Sequence, residues 1–131
     1  MVILKIATKN RNDFVNITSL VQKVVSEKKW SNGILYIYVP HTTAGITINE
    51  CADLDVARDI INQLDKRIPW RDGYYHGEGN SAAHIKSSLI GSSTFVFIEN
   101  NRINLGTWQG IFFTEFDGPR NRKIWIKFIS S

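Results

Sequence analysis

Apolar positions along the chain change period several times, and each change marks an element. Val2–Ala7 (VILKIA) has the apolar content of a strand, and the Asn/Asp-rich Lys9–Asp13 predicts a turn that lets Phe14–Ile17 pair back. Leu20, Val21, Val24 and Val25 fall at i, i+1, i+4 and i+5, one stripe of a helix over Leu20–Lys29 capped by Thr18 or Ser19. Lys28 and Lys29 then complement its dipole. Ser31-Asn32-Gly33 breaks the helix, and Ile34–Val39 is apolar on both faces, as a central strand should be. Ile46–Glu50 alternates at period two, with Ile46 and Ile48 opposite Thr47 and Asn49. A second helical stripe (Leu54, Ala57, Ile60, Ile61, Leu64) starts from an Asp53 cap and runs to about Lys66. Ser81–Ile90 predicts a third helix, with Asn80 or Ser81 as N-cap and Gly91 as C-cap. Thr94–Ile98, Arg102–Asn104, Ile111–Phe116 and Lys123–Ile129 complete the strands, separated by Asn100-Asn101, Gly106–Gly110 and Asp117-Gly118-Pro119. The pattern predicts one α+β domain over residues 1–131: a mostly antiparallel sheet of about seven or eight short strands with three helices.

Composition narrows the class. A chain of 131 residues that is 43% hydrophobic can bury a real core, and it carries no polar tract suggesting disorder. No apolar run approaches the roughly 18 residues of a membrane span, and the N-terminus lacks a signal-peptide core. A cytoplasmic protein with no membrane partner is expected. Cys51 is the only cysteine, so no internal disulfide can form; it reads as a small half-buried residue at a strand–helix junction. Net charge of +4 suits anionic ligands. The basic residues are scattered except for Arg120, Arg122, Lys123 and Lys127, and without an RNA-binding aromatic signature or a helix-turn-helix pattern, nucleic acid is not the expected partner.

Candidate chemistry gathers in Tyr75–Ser88 (YHGEGNSAAHIKSS), where a Gly-rich loop separates His76 from His84 and runs into the third helix. His41 follows a buried strand directly. Three neutral imidazoles plus water make an open zinc-like site, able to polarise an oxygen or acidify bound water. Glu50, Glu78 or Asp53 could orient ring N–H groups or act as base. The plain alternative is three unrelated histidines, since none sits in a recognised metal-binding spacing. On the third helix Ser87 and Ser88 share the His84 face while Lys86 points elsewhere; Lys86 is either a phosphate holder or a solvated lysine. If the chain stays extended after Pro40, His41, Thr43, Thr47 and Asn49 present toward one side. Thr42 and Thr43 are equally anion donors or ordinary β-formers. Glu115 shares a strand face with Ile111 and Phe113 and so needs a partner, Arg120 or Arg102, unless it is catalytic. Trp108 reads as a core or interface aromatic.

Read in order, His41-Thr42-Thr43-Ala44 with Asn49-Glu50, Tyr75-His76, His84-Ile85-Lys86-Ser87-Ser88-Leu89 and Gly106-Thr107-Trp108-Gln109-Gly110-Ile111 resemble the YjbQ-like family, often labelled "secondary thiamine-phosphate synthase enzyme". The resemblance spans nearly the whole chain and departs from the family at Asn101, where a turn glycine is usual. It implies an α+β fold and a homotrimer with its site near subunit boundaries. It also implies a divalent metal, zinc in particular, at His41, His76 and His84. By the same resemblance Asn49, Ser87 and Gln109 belong to the ligand-binding set, and Glu50, Lys86 and Glu115 to the catalytic set. The implied reaction joins a pyrimidine methyl diphosphate to a thiazole phosphate, with a small phosphorylated metabolite as partner. A non-enzymatic binding trimer and a zinc hydrolase are the other readings.

Overall fold

The computed structural model describes residues 1–131 as eight strands and three helices. In chain order they are β1 (Val2–Ala7), β2 (Asp13–Asn16), α1 (Thr18–Lys28), β3 (Gly33–Tyr38), β4 (Ala44–Glu50), α2 (Leu54–Arg67), α3 (Ser81–Ile90), β5 (Ser93–Glu99), β6 (Arg102–Asn104), β7 (Gln109–Glu115) and β8 (Asn121–Ser130). The strands form two antiparallel sheets, one ordered β1-β8-β3-β5-β6 and a smaller one ordered β2-β7-β4. The expected α+β class holds, with two sheets where the pattern suggested one.

The period-two residues of both sheets meet in the core. Leu35, Ile37, Ile111, Phe113, Ile124 and Ile126 are wholly buried there, and α1 adds Val21 and Val25. Each such side chain contributes about 1.5–3 kcal/mol of hydrophobic stabilisation. Gly110 through Glu115 of β7 are all buried, which explains the near-continuous apolar run. α3 lies against β4 at a contact that only glycine permits. A Cβ on Gly45 would stand 2.6 Å from the Gly91 carbonyl oxygen, which accepts the Ile46 N–H at 3.0 Å.

Two local outcomes differ from the sequence pattern, and a third follows it. α1 begins at Thr18 with Ile17 at the cap position, and Asn16 Oδ1 accepts from the Thr18 N–H and hydroxyl instead. α2 is amphipathic but only half-buried, and Leu54, counted in its core stripe, is 72% exposed. Asn100 and Asn101 both take left-handed angles, as a turn pair should, and the Asn101 amide donates to the Val25 and Trp30 carbonyls at 2.9 and 2.6 Å.

The outer face of the larger sheet is apolar as well. In register, Ile3, Trp125 and Tyr38 form one row, Lys127, Tyr36 and Phe95 the next, and Ile129, Ile34 and Phe97 a third. Ile3, Tyr36, Tyr38, Phe95, Phe97 and Ile129 are each 45–53% exposed, so no element of the chain covers them.

Candidate functional site

At one end of the molecule four connections converge: Pro40–Thr43 after β3, the α2–α3 loop, the first turns of α3, and the β7–β8 turn. Backbone bonds sew them together. Thr43 O accepts the Phe116 N–H at 3.1 Å, and Arg120 O accepts the Thr8 N–H at 2.9 Å. Between them lies a cavity of about 490 Å³ that includes His41, His76 and His84, and apart from Pro40 every lining side chain is polar. A second hollow of about 330 Å³ adjoins it, sharing His41 and His84 and adding Ser87 and Ser88. Ser87 and Ser88 do face with His84, as helical spacing requires.

The histidines are held differently. His41 Nε2 accepts the Lys123 backbone N–H at 2.9 Å, which fixes the ring. Burial, and next the Arg122 guanidinium, push the His41 pKa below its ordinary value, so this imidazole is neutral at pH 7. His76 and His84 meet edge to face with centroids 5.4 Å apart, and neither ring hydrogen-bonds to the protein. His76 Nε2 stands 3.8 Å from Glu78 Oε1.

Beneath the histidines is a buried ion pair. Arg122 gives Nε to Glu115 Oε1 at 2.8 Å and Nη2 to Glu115 Oε2, and Nη2 also reaches Thr43 Oγ1 at 2.8 Å. Glu115 further accepts the Thr8 hydroxyl at 2.8 Å and the backbone N–H groups of Phe116 and Asp117 at 3.1 and 3.0 Å. Burial alone would raise the Glu115 pKa, but the bonds from Arg122, the Asp117 N–H and Thr8 outweigh it and hold the carboxyl below its usual range. Nearby, Arg120 is tied to Asp117, whose Oδ2 also accepts the Asn80 amide at 2.9 Å. Asn80 occupies the N-cap position of α3 without capping it, and its Oδ1 is buried with no partner.

The donor set suits a divalent metal. Two unbonded imidazoles, a third imidazole and an orphaned amide oxygen are the neutral N and O ligands that zinc-like ions take. The side chains do not close to a tight metal-binding group in the single chain, and His41 would have to exchange its Lys123 bond to coordinate through Nε2.

Other expected site residues lie elsewhere. The chain is not extended through Pro40–Thr43, so β4 carries Asn49 and Glu50 away from His41 rather than beside it. Seven strand residues at about 3.3 Å each put them roughly 20 Å off. There Asn49 Oδ1 accepts the Glu50 N–H, Glu50 pairs with Gln109, and Gln109 Oε1 accepts the Gly106 N–H at 2.8 Å. Lys86 is wholly buried on the far side of α3, where Nζ donates to Asp65 of α2 at 2.7 Å. That bond, with the lysine's charge, holds the Asp65 pKa below its ordinary value. Glu115 sits under the cavity floor, and its partner is Arg122 rather than Arg120 or Arg102. Arg120, Arg122, Asn80 and Asp117 were not singled out from sequence as site residues. The available signal was the alternation of β8: Arg122 occupies the same inward face as Ile124 and Ile126, and a buried arginine demands a buried acid.

Comparison with known proteins places the chain firmly. The family model described as "UPF0047 protein YjbQ-like" matches residues 2–131. UPF0047 protein MJ1081 of Methanocaldococcus jannaschii is 54% identical over 125 residues, 95% of this chain and 91% of that protein. UPF0047 protein YugU of Bacillus subtilis is 50% identical over 125 residues, 95% of each. Among solved structures, a YjbQ/UPF0047 protein from Clostridium acetobutylicum aligns with TM-score 0.95 and 55% identity, covering 98% of this chain and 100% of that one. The protein TT1486 from Thermus thermophilus aligns with TM-score 0.92 and 42% identity, covering 98% and 100%.

Proposed function

The chain belongs to the YjbQ-like UPF0047 family, and from that premise we propose that it is a metal-dependent enzyme of small phosphorylated or heterocyclic metabolites. The observation that carries this reading is the convergence of His41, His76 and His84 on one polar cavity with two arginines at its wall. A divalent metal of the zinc class, held by these histidines, would act as a Lewis acid toward a phosphoryl oxygen. The chain's own groups supply the rest. Neutral His41 suits metal coordination, Glu78 is the carboxylate beside His76 placed to take a proton, and the arginines offer donors to developing charge.

Formation of thiamine phosphate is the candidate reaction. A ring nitrogen of the thiazole phosphate bonds to the pyrimidine methylene, the C–O bond to diphosphate breaks, and pyrophosphate leaves with the electron pair. With Glu50 and Lys86 away from the cavity, this reading gives them no part in the chemistry.

Self-association belongs to the same proposal. Three rows of side chains on four strands make roughly 400 Å² of flat sheet. Its aromatic and aliphatic side chains stand half-exposed there, and a homotrimer built on this face would bury Tyr36, Tyr38, Phe95 and Phe97. No helix is long and apolar enough to cross a membrane, and work in the cytoplasm is part of the reading.

Elemental analysis of untagged, chelator-free protein tests the metal. About one zinc-class ion per chain, absent from His84→Ala, is expected, together with loss of turnover in that variant. No metal in the parent after reconstitution would refute the reading. Saturable metabolite binding with no turnover would make the protein a binding module.

A further inference from the structure

Arg120 and Arg122 share one arrangement at the cavity wall. Each ties Nε and Nη2 to an acidic residue, Arg122 to Glu115 and Arg120 to the carbonyl and carboxylate of Asp117. Each leaves Nη1 without a hydrogen bond in the protein. For Arg120, 51% exposed, an idle Nη1 is ordinary. For Arg122 the side chain is 6% exposed, yet Nη1 is not among the sealed unpaired atoms. Both arginines line the cavity.

A guanidinium fixed on two sides at the wall of a polar cavity, with its third nitrogen unspent, is preorganised for an oxyanion, since Arg donates in a rigid fork. Asn80 braces the same corner. It is 7% exposed, its amide nitrogen donates to Asp117, the partner of Arg120, and its Oδ1 is sealed without a donor, so contact with a ligand falls to the arginines.

We infer that Arg120 and Arg122 form a two-armed clamp for a terminal phosphoryl group. A phosphoryl group presents three oxygens and more negative charge than a carboxylate, enough to serve both arms. Each arm already bears its own carboxylate, so the clamp works by the direction of its N–H groups rather than by net charge. The start of α3 at Asn80 adds the positive end of a helix dipole. The inference deepens the proposed function by giving the phosphate-holding role, expected at Lys86, to these arginines. It requires no metal.

The test is calorimetric titration of chelator-treated protein with inorganic phosphate, and with acetate as the carboxylate comparator. Phosphate is expected to bind and acetate to bind at least about tenfold more weakly. Arg122→Lys keeps the charge but loses the fork, and is expected to weaken phosphate by about tenfold or more. Arg120→Lys, at a half-exposed position that does not threaten folding, is expected to weaken it severalfold. Lys86→Met is expected to leave it unchanged. Metal-loaded Arg120→Lys should keep its metal content while losing phosphate affinity, which separates the clamp from the metal reading. No phosphate binding by the parent, equal affinity in both arginine variants, acetate as tight as phosphate, or loss on Lys86→Met would each overturn the clamp.

Discussion

Arg122 and Lys86 are both buried cations paired with one carboxylate, yet they sit in opposite situations. Lys86 lies between two helices, sealed from solvent, with its single ammonium on Asp65. Arg122 lies where two sheets meet, and its fork is divided: two nitrogens are spent on Glu115 and Thr43, and the third is left unspent on a residue that lines the cavity. The contrast teaches that burial and charge together do not mark a functional residue. What matters is whether donors remain after the structural partner is served, and what they face. Glu115 is saturated by five hydrogen bonds counted over its two oxygens, so it positions Arg122 and has little capacity left for chemistry.

Breaking each pair should expose the difference. The largest effect is expected for Glu115→Ala, which leaves Arg122 buried without a counter-ion and should lower unfolding stability by about 3–5 kcal/mol in urea denaturation. Asp65→Ala should cost less, about 1–3 kcal/mol, because Asp65 is half-exposed and water can reach the pair from that side. A third comparison uses pH. Asp65 and Glu115 both have folded pKa values below their ordinary ones, so the unfolded chain takes up protons first as pH falls. Their stabilisation is complete above the ordinary carboxylate range and is lost as pH drops through the folded values. His41, also lowered, adds a shallower loss that begins near its unfolded value of about 6.5. Urea midpoints measured from pH 8 to pH 3 should therefore be flat, then decline gently below about 6.5, then fall steeply below about 4. In Lys86→Met the steep part should shrink, since Asp65 no longer has a folded-state partner to lower its pKa. The smallest effect is expected for Thr43→Val. It removes one hydrogen bond to Arg122, worth about 1 kcal/mol by thermal unfolding.

The elements were legible where local chemistry decides them. Ser81–Ile90 matched at both ends because Gly91 stops the helix and the glycine-rich loop cannot extend it backward. Arg102–Asn104 matched because two asparagines adopt the left-handed turn before it. The site was legible only in part. His41, His76 and His84 stood out by residue type and neighbouring loop, and the structure brings all three to one cavity. Glu50, Asn49 and Gln109 stood out by motif, but a motif records order along the chain. Their strands carry them to the opposite end of the smaller sheet. Lys86 reads from its helical position as turned away from His84, which the structure bears out, but its burial against Asp65 of α2 is a tertiary contact that local spacing does not show. Arg120 and Arg122 belong to the one basic cluster of the sequence, and only the register of β8 shows which of its residues turn inward.

Asn101 stands where a turn glycine is usual in the family that the chain resembles. A left-handed backbone costs a non-glycine residue roughly 1–2 kcal/mol, and Asn less than most. Its side chain recovers a similar amount by donating to the carbonyls of Val25 and Trp30, at the end of α1. Glycine and asparagine are thus two near-equal solutions to one corner, the first by relaxing the backbone, the second by stitching it to a helix more than seventy residues earlier in the chain. The asparagine form carries a long-range tether that a glycine would lack.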